Sequence, residues 1–305
     1  MMLWRVLVLA VSTLSLVPVT GCGAATPAAP SGTLTITAAI YPFQFIAERV
    51  GGSLVSVTDL TPPGAEPHDL ELSPKQVAGL GEADLVIYQS GFQPAVDAGI
   101  QTVPPKRSVD TASFLTLRPA AEQDAHERSA EGALDPHTWL APTNMVTIAE
   151  HVRDALAAAD PSAASTFQAN ATSLISDLKA LDADYREGLK GCQRQVFITS
   201  HEAFGYLAER YGLQQVGIRG IEPGTEPSAA RIAEVQQIAR EHGVTTIFFE
   251  TLVSPAVAQS VAGDLGLVTD VLDPLEGLTA ESRGGNYLEV MRSNLTALRT
   301  ANGCS

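Results

Sequence analysis

The sequence predicts an α/β protein of two lobes, each built on a parallel sheet flanked by helices, with one long backbone helix joining the lobes. Strand-like runs rich in Val, Ile and Thr alternate with helical patterns before residue 160 and again after residue 193. A single apolar helix face runs through the segment between these two series. A chain of 305 residues is also long enough for two domains of ordinary size.

The first lobe is expected at residues 34–159. Its strand candidates are Leu34–Ile40, Ser53–Leu60 and the continuous apolar run Ala83–Ser90, which is typical of a buried parallel strand. Between the last two runs, Ser73 and Pro74 form a typical helix start, with serine as the N-cap and proline at the first helical position.

The linking helix is expected at residues 160–191. Asp160 and Pro161 suit its cap and first position. Apolar residues then recur at alternating steps of four and three: Phe167, Ala171, Leu174, Leu178, Leu181 and Tyr185. A helix with such a face packs against its neighbours, so this connection should be stiff rather than flexible.

The second lobe is expected at residues 192–305. A helical pattern over Ser228–Gly243 lies among its strands and ends at a glycine. The strand candidates are Gln195–His201, Leu213–Ile218, Val244–Glu250 and Gly266–Asp273.

The amino terminus reads as an export signal. Residues 1–21 carry one positive charge, Arg5, followed by an apolar run, and the sequence then reaches Cys22 through small residues, as in a bacterial lipobox. A secretory signal with an incidental cysteine and a transmembrane anchor are the alternatives, although the run is short for a span. Residues 22–33 are rich in Ala, Pro, Ser and Gly and predict a flexible, lipid-anchored tether.

Composition narrows the range of functions. The net charge of −15 argues against nucleic-acid binding, which needs a basic surface, and is compatible with a cation as ligand. Apolar residues make up 45% of the chain, which is enough for a sizeable core. Cys192 and Cys304 remain beyond the lipobox, and an even pair in an exported chain predicts a disulfide.

Three histidines lie in rigid, turn-like settings far apart in the sequence. His68 follows Pro67, His137 follows Asp135-Pro136, and His201 closes a predicted strand. The carboxyl ends of parallel strands form the crevice where α/β proteins bind ligands. The histidines are therefore expected to face one another across an interlobe cleft.

Three neutral imidazoles and one carboxylate suit a zinc ion, which prefers four nitrogen and oxygen ligands in a tetrahedron. Asp273, at a strand end and followed by proline, is the candidate fourth ligand, and Glu250 is the competing one. Asp69, Asp135 and Glu250 are candidates for orienting the rings by hydrogen bonds. The remaining histidines are read as ordinary surface residues, with transient metal capture as the alternative for one in a polar loop: His151, His242 and His126.

The motifs "GAEPHDLELSP", "DPHTWLAP", "SHEAFGYLAERYGL" and "NYLEVMRSNLTAL" resemble those of the zinc/manganese substrate-binding lipoproteins of bacterial ABC importers, in the ZnuA-like zinc branch. The resemblance runs from about Leu34 to the C-terminus. It implies two α/β lobes joined by a backbone helix. It also implies the ligands, by matching each motif in turn: His68, His137, His201 and, near "LDPL", Asp273.

The resemblance further implies the choice of metal. Manganese-binding relatives have glutamate where this chain has His201, and imidazole suits Zn²⁺ better than Mn²⁺. Zinc-branch relatives often carry a long histidine-rich loop between the first two ligands. Here the loop is short and acidic, with His126 alone.

The expected function is that of an extracytoplasmic, monomeric zinc-binding protein, anchored to the membrane by lipid, that delivers the ion to the permease of an ABC importer. A manganese-binding counterpart is the first alternative. A secreted zinc hydrolase is the second, but the sequence has neither an HExxH pair nor a GxSxG elbow. A surface adhesin would rest on the tether alone.

Overall fold

The structure, a computed structural model, describes residues 32–120 and 133–305. The predicted signal peptide, the lipobox cysteine Cys22, nearly all of the tether and His126 lie outside the described residues. Within the described part of the chain, no helix is both long and apolar enough to cross a bilayer.

The first half of the chain forms a four-stranded parallel sheet with the strand order β2-β1-β3-β4. Three helices alternate with these strands and a fourth follows them, which confirms the predicted α/β pattern. The elements are β1 (Leu34–Ala38), α1 (Tyr41–Gly51), β2 (Val55–Asp59), α2 (Pro74–Glu82), β3 (Leu85–Tyr88), α3 (Pro94–Thr102), β4 (Ser108–Asp110) and α4 (Pro142–Ala159).

The second half repeats this arrangement, since its parallel strands lie in the order β6-β5-β7-β8. The last helix follows a long loop and packs against α5, β5 and β8. The elements are α5 (Ala164–Gly188), β5 (Val196–Thr199), α6 (Gly205–Tyr211), β6 (Gln214–Gly217), α7 (Ala229–Glu241), β7 (Thr246–Phe249), α8 (Ala256–Leu265), β8 (Val268–Val271) and α9 (Tyr287–Asn302).

The linking helix α5 has the predicted face. All six apolar positions are fully buried: Phe167, Ala171, Leu174, Leu178, Leu181 and Tyr185. Asp160 caps a short 3-10 turn (Pro161–Ala163) rather than the α-helix itself, accepting a hydrogen bond from the Ser162 amide at 3.0 Å. The helix packs against α1, α4 and α9, so it is held along its length by elements from both halves of the chain.

One apolar core joins the two halves. It extends from the first sheet through α4, α5 and α9 to Phe197 and Phe248 of the second sheet, while a smaller core covers the other face of that sheet. Thr33–Ser305 accordingly forms one compact unit. The exact lobe boundaries, at residues 159/160 and 191/192, stay a prediction.

The predicted disulfide is present. Cys192, just after α5, is bonded to Cys304, just after α9, across 112 residues of sequence. Backbone hydrogen bonds beside it, from Arg194 N to Asn302 O at 3.0 Å and from Gln193 N to Gly303 O at 3.3 Å, fix the same two segments. The carboxyl-terminal helix is therefore fastened to the start of the second lobe.

Replacing Cys192 and Cys304 together with serine is expected to lower the free energy of unfolding by about 3 kcal/mol, because a disulfide that closes a long loop restricts the unfolded chain. Urea unfolding followed by circular dichroism would measure the change. A reducing agent should destabilise the native protein to the same extent and leave the double variant unchanged. Two reactive thiols in the native protein would contradict the assignment.

Candidate metal centre

The three histidines predicted as ligands meet at one point. His68, His137 and His201 lie together with Glu276, and each offers one donor atom within 4.8 Å of the others. Their exposed fractions are 8%, 0%, 1% and 0%, respectively. Within residues 32–120 and 133–305, this is the one group of histidine, cysteine and acidic side chains with donors close enough to share a metal ion.

The distances between the donor atoms fit a tetrahedral ion. His137 Nε2 lies 3.3 Å from the Nε2 atoms of both His68 and His201, and Glu276 Oε1 lies 3.1, 3.3 and 3.6 Å from the Nε2 atoms of His137, His68 and His201. Zinc–ligand bonds of about 2.0–2.1 Å give a tetrahedron with edges of about 3.3–3.4 Å. The group therefore has the size that four ligands of one zinc ion require.

The fold explains the convergence, because each donor follows a strand at the carboxyl edge of its sheet. His68 lies in the loop after β2, and His137 precedes a 3-10 turn after β4. His201 comes two residues after the end of β5, and Glu276 follows β8. Since both sheets present their carboxyl ends to the same region, ligands separated by up to 208 residues become neighbours.

The loops that carry the histidines are fixed by buried hydrogen bonds. Gln93 Nε2 donates to Pro67 O at 3.2 Å, next to His68, and Gln89 Nε2 donates to Pro136 O at 2.7 Å, next to His137. The carbonyl of His201 accepts from Gln215 Nε2 at 3.0 Å. The positions of the rings are thus determined by the backbone, which suits a preformed site.

Each ring also has a carboxylate at its other nitrogen. His137 Nδ1 lies 2.9 Å from Asp135 Oδ1, and His201 Nδ1 lies 2.8 Å from Glu250 Oε1. Asp135 and Glu250 thus make the ring contacts that the predicted orienting role requires. At His68 the partner is Glu222, whose Oε2 lies 3.4 Å from Nδ1, and not the predicted Asp69. A carboxylate at Nδ1 keeps the proton on that atom, so that Nε2 is free to bind metal.

Carboxylates beside the histidines raise the pKa of two of them, so these histidines must lose protons before a cation binds. Burial lowers the pKa of His68, but hydrogen bonds to Glu222 and Glu276 outweigh it and raise this pKa to about 9. The pKa of His201 is raised well above its usual value, since Glu250 and Glu276 outweigh burial. Burial raises the pKa of Glu276, but hydrogen bonds from the three histidines hold it well below the usual range.

Aromatic rings close one side of the site. Phe92 meets His68 edge-on, with ring centroids 4.8 Å apart, and its ring is 5.4 Å from that of Trp139. Trp139 in turn lies 5.3 Å from His137. This apolar wall excludes water from the imidazoles, which favours coordination by four protein atoms over the higher coordination numbers of hard cations.

The fourth member of the group is Glu276 and not the predicted Asp273. Both carboxylate oxygens of Asp273 are engaged elsewhere: Oδ1 accepts from the Leu275 amide at 2.8 Å and Oδ2 from Ser282 Oγ at 2.7 Å. The competing candidate, Glu250, lies behind His201 rather than beside the donor atoms. Glu276 was missed because sequence spacing does not reveal how the chain turns after Pro274.

The other described histidines lie away from this centre. His151 is exposed on α4 and stacks on Phe114, with ring centroids 3.7 Å apart. His242 is exposed at the end of α7. Both are ordinary surface residues, as the sequence indicated.

Replacing Asp135 with alanine is expected to weaken zinc binding by about 10- to 100-fold, because His137 would lose the hydrogen bond that orients its ring. Asp135→Asn keeps an acceptor oxygen and should lose less. Competition with a chromogenic chelator would measure both affinities. Equal affinities for the alanine variant and the unmodified protein would contradict the orienting role.

Two parallel-sheet lobes, a long connecting helix and a closed site of three histidines and one carboxylate define a metal-binding protein of the two-lobed type. The chain matches the family model described as "ZnuA: Zinc-uptake complex component A periplasmic" over residues 36–301. It belongs to this family.

Individual relatives agree with this assignment. The chain is 38% identical over 278 residues to the zinc-binding lipoprotein AdcA of Streptococcus pneumoniae, covering 88% of this chain and 56% of that protein. It therefore spans little more than half the length of that relative. It is 34% identical over 277 residues to the high-affinity zinc uptake system protein ZnuA of Bacillus subtilis, covering 87% of this chain and 86% of that protein.

A solved structure shows the same fold. The crystal structure of the Zn(II)-bound ZnuA-like domain of Streptococcus pneumoniae AdcA superimposes with a TM-score of 0.75 at 36% sequence identity. The match covers 89% of this chain and 99% of that domain. The two-lobed fold deduced from the sequence is thus confirmed.

Proposed function

We propose that the protein is the extracytoplasmic zinc-binding component of an ABC importer, which captures zinc and delivers it to the permease. His68, His137, His201 and Glu276 bind the ion in this proposal. Family membership supports the transport role, and the names of the AdcA and ZnuA relatives support zinc as the cargo.

The observation that carries the proposal is the convergence of three histidines and one carboxylate, in which Glu276 Oε1 lies 3.1 to 3.6 Å from all three Nε2 atoms and His137 Nε2 lies 3.3 Å from each of the other two. Four protein donors complete a tetrahedron, so no coordination position is left for an activated water molecule. A site of this kind suits binding and release rather than hydrolysis.

The donor set favours zinc over manganese. Imidazole is a borderline ligand that suits Zn²⁺, whereas Mn²⁺ prefers oxygen donors and a larger coordination number. The wall of Phe92 and Trp139 leaves little room for additional water ligands. The carboxylate of Glu276 balances one of the two charges of the cation inside a buried pocket, which lowers the cost of burying it.

Zinc titration of the purified, metal-free protein would test the proposal. One zinc ion per chain should bind, and a large excess of Mn²⁺ should not displace it. The zinc-loaded protein should not hydrolyse ester or peptide substrates. Preferential retention of manganese, or turnover that disappears when zinc is removed, would overturn the proposed function.

We further propose that Cys22 anchors the protein to the membrane through lipid and that the protein acts as a monomer. The sequence before Cys22 and the lipoprotein name of the AdcA relative support the anchor. In a bacterial expression host, the protein should be found in the membrane fraction, and Cys22→Ser should release it. An unchanged membrane fraction for the variant would count against lipidation.

A further inference from the structure

The residue before Glu276 has an unusual backbone conformation. Leu275 has a φ of 59°, and among the residues that the structure describes it is the one non-glycine with positive φ. Its side chain is fully buried. A left-handed conformation is unfavourable for leucine, because its Cβ approaches the following carbonyl oxygen. Such strain persists when surrounding contacts enforce it, and it concentrates at functional sites.

Hydrogen bonds from Asp273 enforce this turn. The Leu275 amide donates to Asp273 Oδ1 at 2.8 Å, and Ser282 Oγ donates to the other oxygen at 2.7 Å. Asn294 of α9 fixes the backbone of Asp273 from both sides, accepting from its amide at 3.0 Å and donating to its carbonyl at 2.7 Å. Asp273 is therefore itself held by hydrogen bonds at its backbone and side chain, and it can in turn hold the residue two positions later.

A second contact ties the turn to the other lobe. Trp139 Nε1 donates to the carbonyl of Pro274 at 2.8 Å, and the hydroxyl of Tyr287 donates to the carbonyl of Trp139 at 2.6 Å. Trp139 is two residues after His137. The segment that carries the carboxylate donor is thus bonded directly to the segment that carries the central histidine.

We propose that Asp273 is a positioning residue that holds Leu275 in the left-handed conformation and thereby directs Glu276 into the metal site. This inference rests on the proposed zinc-binding function. If Leu275 relaxed to an ordinary φ, the chain after it would rotate and carry the Glu276 carboxylate away from the three imidazoles. Asp273, the ligand expected from the sequence, would then act through its neighbour instead of binding the ion.

The first test compares two substitutions of Asp273. Asp273→Ala removes the acceptor of the Leu275 amide and should weaken zinc binding by about 10- to 100-fold, as loss of a residue that orients a ligand does. Asp273→Asn keeps an acceptor oxygen and should bind zinc more tightly than Asp273→Ala. If Asp273→Ala lowers the stability of the metal-free protein but leaves the zinc affinity unchanged, the proposal is wrong.

The second test separates backbone conformation from packing by rescue. In the Asp273→Ala background, Leu275→Gly and Leu275→Ala remove nearly the same buried side chain, but only glycine adopts positive φ without strain. The double variant with Leu275→Gly should bind zinc about five- to thirtyfold more tightly than the double variant with Leu275→Ala. This ratio corresponds to the free energy needed to place an alanine in the left-handed conformation. Equal affinities would overturn the proposal.

Binding Co²⁺ in place of zinc gives a visible spectrum that depends on the number of ligands. A change in the stability of the fold alone would not alter this spectrum. Four-coordinate Co²⁺ absorbs visible light more strongly than Co²⁺ with more ligands, so Asp273→Ala should weaken the absorption and the glycine double variant should restore part of it. An identical spectrum for all variants would contradict the positioning role. Failure of the unmodified protein to bind zinc would instead overturn the proposed function itself, so the two failures are distinguishable.

Discussion

Replacing His137 with alanine is expected to lower the zinc affinity by about 100- to 1,000-fold. His137 is central to the site, since its Nε2 lies within 3.3 Å of a donor atom of each of the other three residues. A structural zinc site is worth about 10–16 kcal/mol in total, so one ligand of four contributes about 2.5–4 kcal/mol. Each 1.4 kcal/mol corresponds to about tenfold in affinity.

Competition with a chelator of known affinity would measure this loss. His242→Ala is the matched control, because it removes an exposed histidine far from the centre and should leave zinc binding unchanged. Urea unfolding of the metal-free variants would verify that both remain folded. Tight binding by folded His137→Ala protein would show that the ion is held elsewhere.

Zinc affinity is also expected to rise steeply with pH. A pKa of about 9 for His68 and a raised pKa for His201 mean that both imidazoles hold protons at neutral pH in the metal-free protein. Zinc must displace these protons, so the affinity should increase by about tenfold per pH unit for each proton released. The increase should continue above the ordinary histidine pKa of about 6.5 and level off near pH 9 for His68.

The contribution of His68 to the stability of the metal-free protein changes with pH in the opposite direction from the zinc affinity. Because the folded state raises the pKa of His68, this group stabilises the fold below the pKa of the unfolded chain, and the contribution is lost as pH rises to about 9.

The number of protons released on zinc binding can be measured directly. Calorimetry in two buffers of different ionisation enthalpy would count them.

Glu222→Gln offers a matched variant for the same experiment. Glu222 contributes to the raised pKa of His68 and is itself largely exposed, so the substitution should shift the rise in affinity toward lower pH. A zinc affinity that is independent of pH between 6 and 9 would contradict the protonated state assigned to His68 and His201 in the metal-free protein.

Much of the fold followed from local patterns. The buried face of α5 could be predicted because apolar residues repeat at helical spacing over its whole length. Strand β4 was not predicted, since three residues are too few to show a pattern. Helix α4 was not predicted either, although the spacing of its buried residues Met145, Ile148 and Val152 is that of a helix face.

The site was predictable only in part, for a physical reason. The three histidines follow strands or proline turns, so the sequence places them at the carboxyl ends of the sheets. The position of the Glu276 carboxylate depends on the backbone conformation of Leu275. That conformation is set by contacts of Asp273, Trp139 and Asn294 rather than by leucine itself. No local pattern encodes a conformation that distant side chains enforce.

The position of α9 also determines when this site can exist. Asn294, which fixes the turn before Glu276, and Tyr287, which donates to the carbonyl of Trp139, both belong to α9. A ribosome adds these residues after all four metal donors have been made. The growing chain therefore contains all four donors before it contains the two α9 side chains that fix their surroundings.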